Sequence, residues 1–311
     1  MSIPIIGFDE MDKTLTWGDV TDAMLAGHSL PKASLSDGLA YRGDDTLLSR
    51  AAWIDGLGAL VKSATIVPSN TAKAIPMING GVMLFDDENG QLEALVDFHL
   101  VTKWKTAGDS LLGAKLLARP DSKDILIVGA GTVSRNMISA YASIYPDARF
   151  QVWNRSPKNA AKMVADLSDA YDISQAKDLA DAVANADIIN CATMSTDPVI
   201  DGAWLRPGQH MNLIGAYRPD MREVNDAALQ NARIFVDSRD TTIEHIGELK
   251  LPIASGAISK NDVLADFYDI PTGEFVAGDS NDITLFKNGG GAHLDLMTAK
   301  LILQKWRESQ V

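Results

Sequence analysis

The chain has 311 residues, 46% hydrophobic and 22% charged, with 28 basic against 41 acidic side chains and a net charge of −13. This is a globular composition long enough for two domains, and its negative charge disfavours nucleic acid or an anionic membrane as a main partner. One cysteine, Cys191, excludes an internal disulfide or a CxxC metal site, the five histidines lack HxxxH spacing, and no apolar run reaches membrane-spanning length, so we expect a cytoplasmic protein without a metal site.

In chain order, residues 17–26 are a predicted helix and 46–54 and 60–67 are strand-like. Residues 81–86 and 91–97 form a predicted hairpin around Asp87-Glu88-Asn89-Gly90, where Asn-Gly favours a tight turn. Residues 103–117 are helical in period, with Ala107, Leu111, Ala114 and Leu117 on similar faces. Arg119-Pro120-Asp121 breaks that helix and marks the expected domain boundary.

From Asp124 strand and helix alternate. Ile125–Val128 is an apolar strand, followed by a glycine turn, a helix from near Ser134 and a second strand over 150–153. That order suits a dinucleotide: glycine lets the backbone approach a pyrophosphate, and the helix start offers unpaired N–H groups. Gly129, Gly131, Thr132 and Val133 are the candidate phosphate loop, although Ser134 stands where a third glycine is usual. The second strand ends at Asn154-Arg155-Ser156, with no acid for the ribose hydroxyls of NAD. Arg155 can pair with the 2′-phosphate of NADP, so NADP(H) is preferred and NAD(H) stays an alternative. In the bland reading Arg155 is solvated and Ser156 caps a helix over 157–167 with Pro157 at its first position.

Further helices are predicted at 178–186, 225–231 and 241–249, and strands at 187–192, 210–216, 233–237 and 282–287. Ala192 and Thr193 close one strand where a cofactor would pass, and Asp237 closes another. Asn288-Gly289-Gly290-Gly291 opens a helix over 292–307; Gly290 either offers an N–H toward the nicotinamide or only permits a turn. His293 and Asp295 read more readily as one turn of polar helix surface than as pocket residues. The expected architecture is α/β: a Rossmann-type doubly wound parallel sheet over 119–289, plus an α+β substrate-binding and dimerisation domain from 1–118 with 290–311.

Several spaced motifs carry a resemblance to one family. Lys62 in LVKSATIVPSN, GGVMLFDDENGQLEALVD, VTKWKTAGDSLLGAKLLARPD, IVGAGTVS, HMNLIGAYRPDMREV, RIFVDS and DITLFKNGGGAHLD occur in the order found in the ornithine cyclodeaminase/mu-crystallin family. The resemblance implies an NAD(P)-dependent enzyme acting on small amino or imino acids, and a homodimer paired through the non-Rossmann domain. It makes Lys62 the catalytic candidate and Lys105 the substrate-binding one, where relatives carry arginine. Lysine keeps that charge but loses the two-point grip on a carboxylate. An early family arginine has no clean match; Arg42, Arg50 and Lys32 are the candidates. Tyr217 stands where cyclodeaminases place an aspartate, and it either packs or closes over the nicotinamide. GAYRPDMRE looks like the mu-crystallin branch, whose members resemble NADPH-dependent ketimine reductases. The implied reaction is therefore reduction of an imino-acid C=N bond. A cyclodeaminase-type lyase with bound NAD and a non-catalytic NADPH-binding protein are the alternatives.

Overall fold

The computed structural model describes residues 3–73 and 75–310. It divides into two units, Met1–Gly108 with Gly291–Val311 and Asp109–Gly290.

The first unit is built on a six-stranded sheet. Its elements are β1 (Ile5–Ile6), α1 (Phe8–Met11), α2 (Trp17–His28), β2 (Ser34–Arg42), β3 (Asp45–Ile54), β4 (Gly58–Ile66), β5 (Ile78–Phe85) and β6 (Leu92–Asp97). The order across the sheet is β1-β6-β5-β4-β3-β2, antiparallel except for β1 beside β6. α2 starts where the Thr16 hydroxyl accepts from the Asp19 N–H. Alternation along the strands divides the sheet into two faces. One face buries Ala52, Leu60, Leu84 and Ala94, with the long C-terminal helix lying across β3 to β6.

α3 (Phe98–Leu117) begins five residues earlier than the period suggested, because the Asp97 carboxylate accepts the Leu100 N–H and starts the helix there. The division between units falls inside α3, ten residues before the expected break at Arg119-Pro120.

The second unit carries β7 (Asp124–Val128), α4 (Thr132–Ala142), β8 (Arg149–Trp153), α5 (Pro157–Leu167), β9 (Ile173–Gln175), α6 (Leu179–Asn185), β10 (Ile188–Cys191), β11 (His210–Leu213), α7 (Asp226–Gln230), β12 (Ala232–Val236), α8 (Arg239–Thr242), α9 (Gly247–Ser255), β13 (Val263–Ala265) and β14 (Ile283–Lys287). These strands form an all-parallel sheet of order β13-β12-β14-β11-β10-β7-β8-β9. Its central strands are buried on both faces; β7 is apolar after Asp124, while β10 and β11 bury Asn190, His210 and Asn212 among their apolar residues. The chain moves outward from β7 to β9, then crosses back to β10, which puts a topological switch point between β7 and β10. α10 (Ala292–Ser309) follows β14 and belongs to the first unit.

The single helix expected over 241–249 is instead two, α8 and α9. Gly247 is the reason: its N–H donates to the Arg218 carbonyl, and a Cβ there would lie 2.6 Å from the carbonyl oxygens of both Pro219 and Met221. The chain turns so that this contact can form, and a new helix starts from it. No helix among the described residues is long and apolar enough to cross a membrane.

Candidate active site

The second unit supplies a nucleotide cradle. Gly129 follows β7 with φ +118°, and a Cβ on it would lie 2.7 Å from the Ala192 carbonyl oxygen. Only glycine lets these two strand ends approach so closely. Gly131 is the N-cap of α4 and makes no side-chain cap, and nothing lies within 4 Å of where its Cβ would stand. The 11-residue α4 thus begins with open N–H groups at Thr132 and Val133, at the switch point, which fits a pyrophosphate.

Beside it, the Asn154 amide donates to the Ser156 carbonyl and holds the turn after β8. Arg155 is exposed and has no ion-pair partner among the described residues. Ser156 is the N-cap of α5, yet its hydroxyl makes no capping bond. Cys191 is fully buried at the end of β10, and burial pushes its thiol well above the ordinary value.

One carboxylate organises the loops after β10 and β11. Glu223 accepts from the Thr193 N–H at 2.7 Å, the Thr193 hydroxyl at 2.9 Å, the Gly215 N–H at 2.7 Å and the Ala216 N–H at 3.3 Å. Glu248 in turn accepts the N–H groups of Glu223 and Val224, and burial pushes its own pKa up to about 7. Lys287, fully buried, donates to the Leu213 carbonyl; burial lowers its pKa against the opposing pull of Glu223 and Glu248.

Two expectations in this unit are corrected. The N–H groups of Gly289 and Gly290 are not offered to a ligand, because both donate to the Asp237 carboxylate at 2.9 and 2.6 Å. The Asp237 carboxylate is likewise committed. It is fully buried and also accepts from the Ser238 N–H and the Thr242 hydroxyl, so it clamps the glycine turn. Tyr217 is 56% exposed in the loop after β11, with the Arg218 guanidinium 5.9 Å from its ring centroid. Asp220 is exposed and tied to Arg218 at 2.8 Å.

The first unit supplies a buried cation cluster. Lys62 is only 7% exposed, and its ammonium donates to Asp295 at 2.8 Å and to the Thr102 hydroxyl at 2.8 Å, 4.6 Å above the Phe98 ring. Lys105 is 8% exposed, one helical turn from Thr102 on α3, and has no ion-pair partner among the described residues. Neither lysine lies on a solvated face. Lys103, the neighbour that is partly exposed, pairs instead with Asp12 at 2.6 Å.

Arg50 is the register partner of Lys62 across β3 and β4, and it also pairs with Asp37 at 2.8 Å. Arg42 sits at the β2–β3 turn, 86% exposed and bound to Asp45, outside this cluster. His293 and Asp295 are buried, contrary to the polar-surface reading; His293 packs edge-on against His28 with centroids 5.4 Å apart.

Burial lowers the Lys62 pKa, Lys105 and Arg50 push the same way, and Asp295 opposes them. Burial alone would raise the Asp295 pKa, but Lys62 and Lys105 outweigh it and hold it low. The result is an ionised aspartate beside a lysine that gives up its proton more readily than a surface lysine does.

The family profile described as ornithine cyclodeaminase/mu-crystallin matches residues 55–310. The chain belongs to that family. It is 47% identical over 300 residues to a Δ(1)-pyrroline-2-carboxylate reductase of Paracoccus denitrificans, covering 96% of this chain and 95% of that protein. It is 33% identical to the ketimine reductase mu-crystallin of Mus musculus, covering 79% of this chain and 75% of that protein. A solved Thermococcus litoralis Δ(1)-pyrroline-2-carboxylate reductase, in complex with NADH and L-proline, superposes with a TM-score of 0.91 at 26% identity, covering 99% of both chains. This member of the family is an NAD(P)-dependent oxidoreductase.

Proposed function

We propose that the small imino acid reduced by this oxidoreductase is a cyclic ketimine of the Δ1-pyrroline-2-carboxylate kind, and that NADPH serves it better than NADH. The observation that carries the reading is the pair of buried lysines with different roles. Lys105 is a buried cation without a counter-ion among the described residues, which suits one substrate carboxylate. Lys62 already has its counter-ion and a hydroxyl partner, which suits a group that gives a proton. Arg50 adds positive potential to the same cluster.

Gly129, Gly131, Thr132 and Val133 would hold the pyrophosphate. Arg155 and the Ser156 hydroxyl would meet a 2′-phosphate, with Asn154 fixing their turn, and Ala192, Thr193 and Tyr217 would line the cofactor's path. When bound, the reduced nicotinamide supplies a hydride. The chain has the remaining work of gripping the carboxylate and providing a proton for nitrogen. Cyclodeamination would also need a carboxylate at Tyr217, and Asp220 is committed to Arg218 at the surface.

A homodimer fits the second face of the first unit's sheet. That face carries Leu47, Ala51, Trp53, Val61, Met83 and Leu95; Trp53 is 52% and Leu47 46% exposed. A cytoplasmic location fits the single, buried cysteine.

The test offers Δ1-pyrroline-2-carboxylate with each reduced cofactor, and separately ornithine with NAD. The reading predicts proline formed in step with NADPH consumed, at a higher kcat/KM than with NADH. Ammonia released from ornithine without net cofactor change would overturn it.

A further inference from the structure

Lys62 has three ammonium hydrogens, and two are committed, one to Asp295 and one to Thr102. The partners lie far apart in sequence, on α10 and α3, and converge on one buried nitrogen. Asp295 is 1% exposed, and its second oxygen, Oδ2, has no hydrogen-bond partner among the described residues. Burying a carboxylate with only half its capacity met is costly, so the ion pair with Lys62 is what keeps it charged there. Burial lowers the Lys62 pKa, and further cations around the pair, Lys105 and Arg50, lower it in the same direction. Without the adjacent anion, the Lys62 pKa would lose the contribution that opposes burial and would fall further.

We propose that Asp295 is the positioning residue of the reduction: it keeps Lys62 protonated and aims the one uncommitted ammonium hydrogen at the imine nitrogen. This rests on the role assigned to Lys62 above. For an imine that arrives unprotonated, the carbon gains a hydride from the reduced nicotinamide and the C=N π pair moves to nitrogen. The nitrogen takes a proton from Lys62 Nζ. Lys62 is left neutral, Asp295 stays ionised throughout, and solvent returns the proton to Lys62. In the reverse direction neutral Lys62 accepts the amine proton, and Asp295 stabilises the ammonium that forms.

The assignment can be read without turnover. Full-length protein carrying 13Cε-labelled lysine is titrated by NMR, with Lys62 assigned by its disappearance in Lys62→Met. Wild-type Lys62 should remain charged through neutral pH, and in Asp295→Asn it should lose its proton about a unit or more lower, a roughly tenfold change in proton affinity. In steady-state reduction of Δ1-pyrroline-2-carboxylate, Asp295→Asn should lower kcat by about 10²-fold with KM changed less than about threefold. The alkaline limb of its pH profile should move down with Lys62, and Asp295→Glu should restore part of that limb.

A wild-type Lys62 already neutral below pH 7 overturns the proposal, even where the asparagine variant fails to fold. So does a loss of kcat with the alkaline limb and the Lys62 titration both unmoved, which would mark Asp295 as merely structural. If the labelled lysine titrates as expected but wild type reduces no cyclic imine, the lysine–aspartate couple stands and the substrate assignment falls.

Discussion

Lys105→Met tests the charge arithmetic of the cluster. Methionine keeps the apolar stem and removes the ammonium. Lys105 is 8% exposed with no ion-pair partner among the described residues, whereas Lys62 is neutralised by Asp295 and Arg50 by Asp37. A substrate carboxylate that meets Lys105 therefore meets the cluster's uncompensated charge. Two opposite charges 4 Å apart at an effective dielectric near 20 interact by about 4 kcal/mol. Incomplete desolvation reduces this to roughly 2–4 kcal/mol, or about 30- to 700-fold in affinity. Steady-state kinetics should show the imine KM raised within that range and kcat lowered less. Cofactor affinity, read by fluorescence titration, should stay within about twofold. The apo variant should melt no lower than wild type, because a buried cation without a counter-ion is lost rather than a favourable contact. An unchanged KM, or a KM rise matched by lost cofactor binding, would refute the reasoning.

Four further outcomes follow from the same geometry. Arg155→Asp should weaken NADPH binding by about 5- to 30-fold and NADH by less than about twofold, since an exposed arginine–phosphate contact contributes on the order of 1–2 kcal/mol; calorimetry with both nucleotides decides it. Gly129→Ala should cost about 1–3 kcal/mol, because φ is +118° and the new Cβ meets the Ala192 carbonyl, and it should abolish the thermal stabilisation that either nucleotide confers. Glu248 holds its proton up to about pH 7 when folded, against an ordinary value of 4.5, so stability should be fully present below pH 4.5 and fall as pH rises toward 7, by on the order of 2–3 kcal/mol. Urea unfolding across that range should show the slope in wild type and a flatter one in Glu248→Gln. Trp53→Glu, on the open sheet face, should shift sedimentation from dimer toward monomer while secondary structure is retained.

The Rossmann half was readable because short, largely apolar strands alternate with glycine turns and helix-like segments, and β7, β10, β11 and β14 lie within a residue or so of their expected starts. The hairpin of β5 and β6 was likewise carried by its Asn-Gly turn. β2 and β9 escaped notice for physical reasons. β2 is an exposed edge strand whose apolar face, Leu35, Leu39 and Tyr41, is broken by Asp37, and β9 is three residues long. The split of α8 from α9 depends on the close approach of the 218–221 loop to Gly247, which no helical period encodes.

In the site, Lys62 and Arg155 stood out through motif context. Thr102 and Lys105 share a helix face at a spacing of three, a local signal that could have been used. Asp295 could not be found that way: it lies 233 residues from Lys62, and on its own helix it resembles solvent-facing polarity. Glu223 was equally silent, since its four donors come from two different loops that only the folded sheet brings together. Strand register sets Arg50 opposite Lys62 and leaves Arg42 at the turn, a placement that no local pattern in the sequence encodes.

The most direct test of imino-acid reduction follows the hydride itself. NADPH deuterated at the transferable position of the nicotinamide is incubated with the enzyme and Δ1-pyrroline-2-carboxylate, and the proline formed is examined by mass spectrometry and NMR. The account predicts one deuterium per proline, located at the carbon that bears the carboxylate. Proline without deuterium, or label retained in the cofactor while the imine disappears, would contradict it.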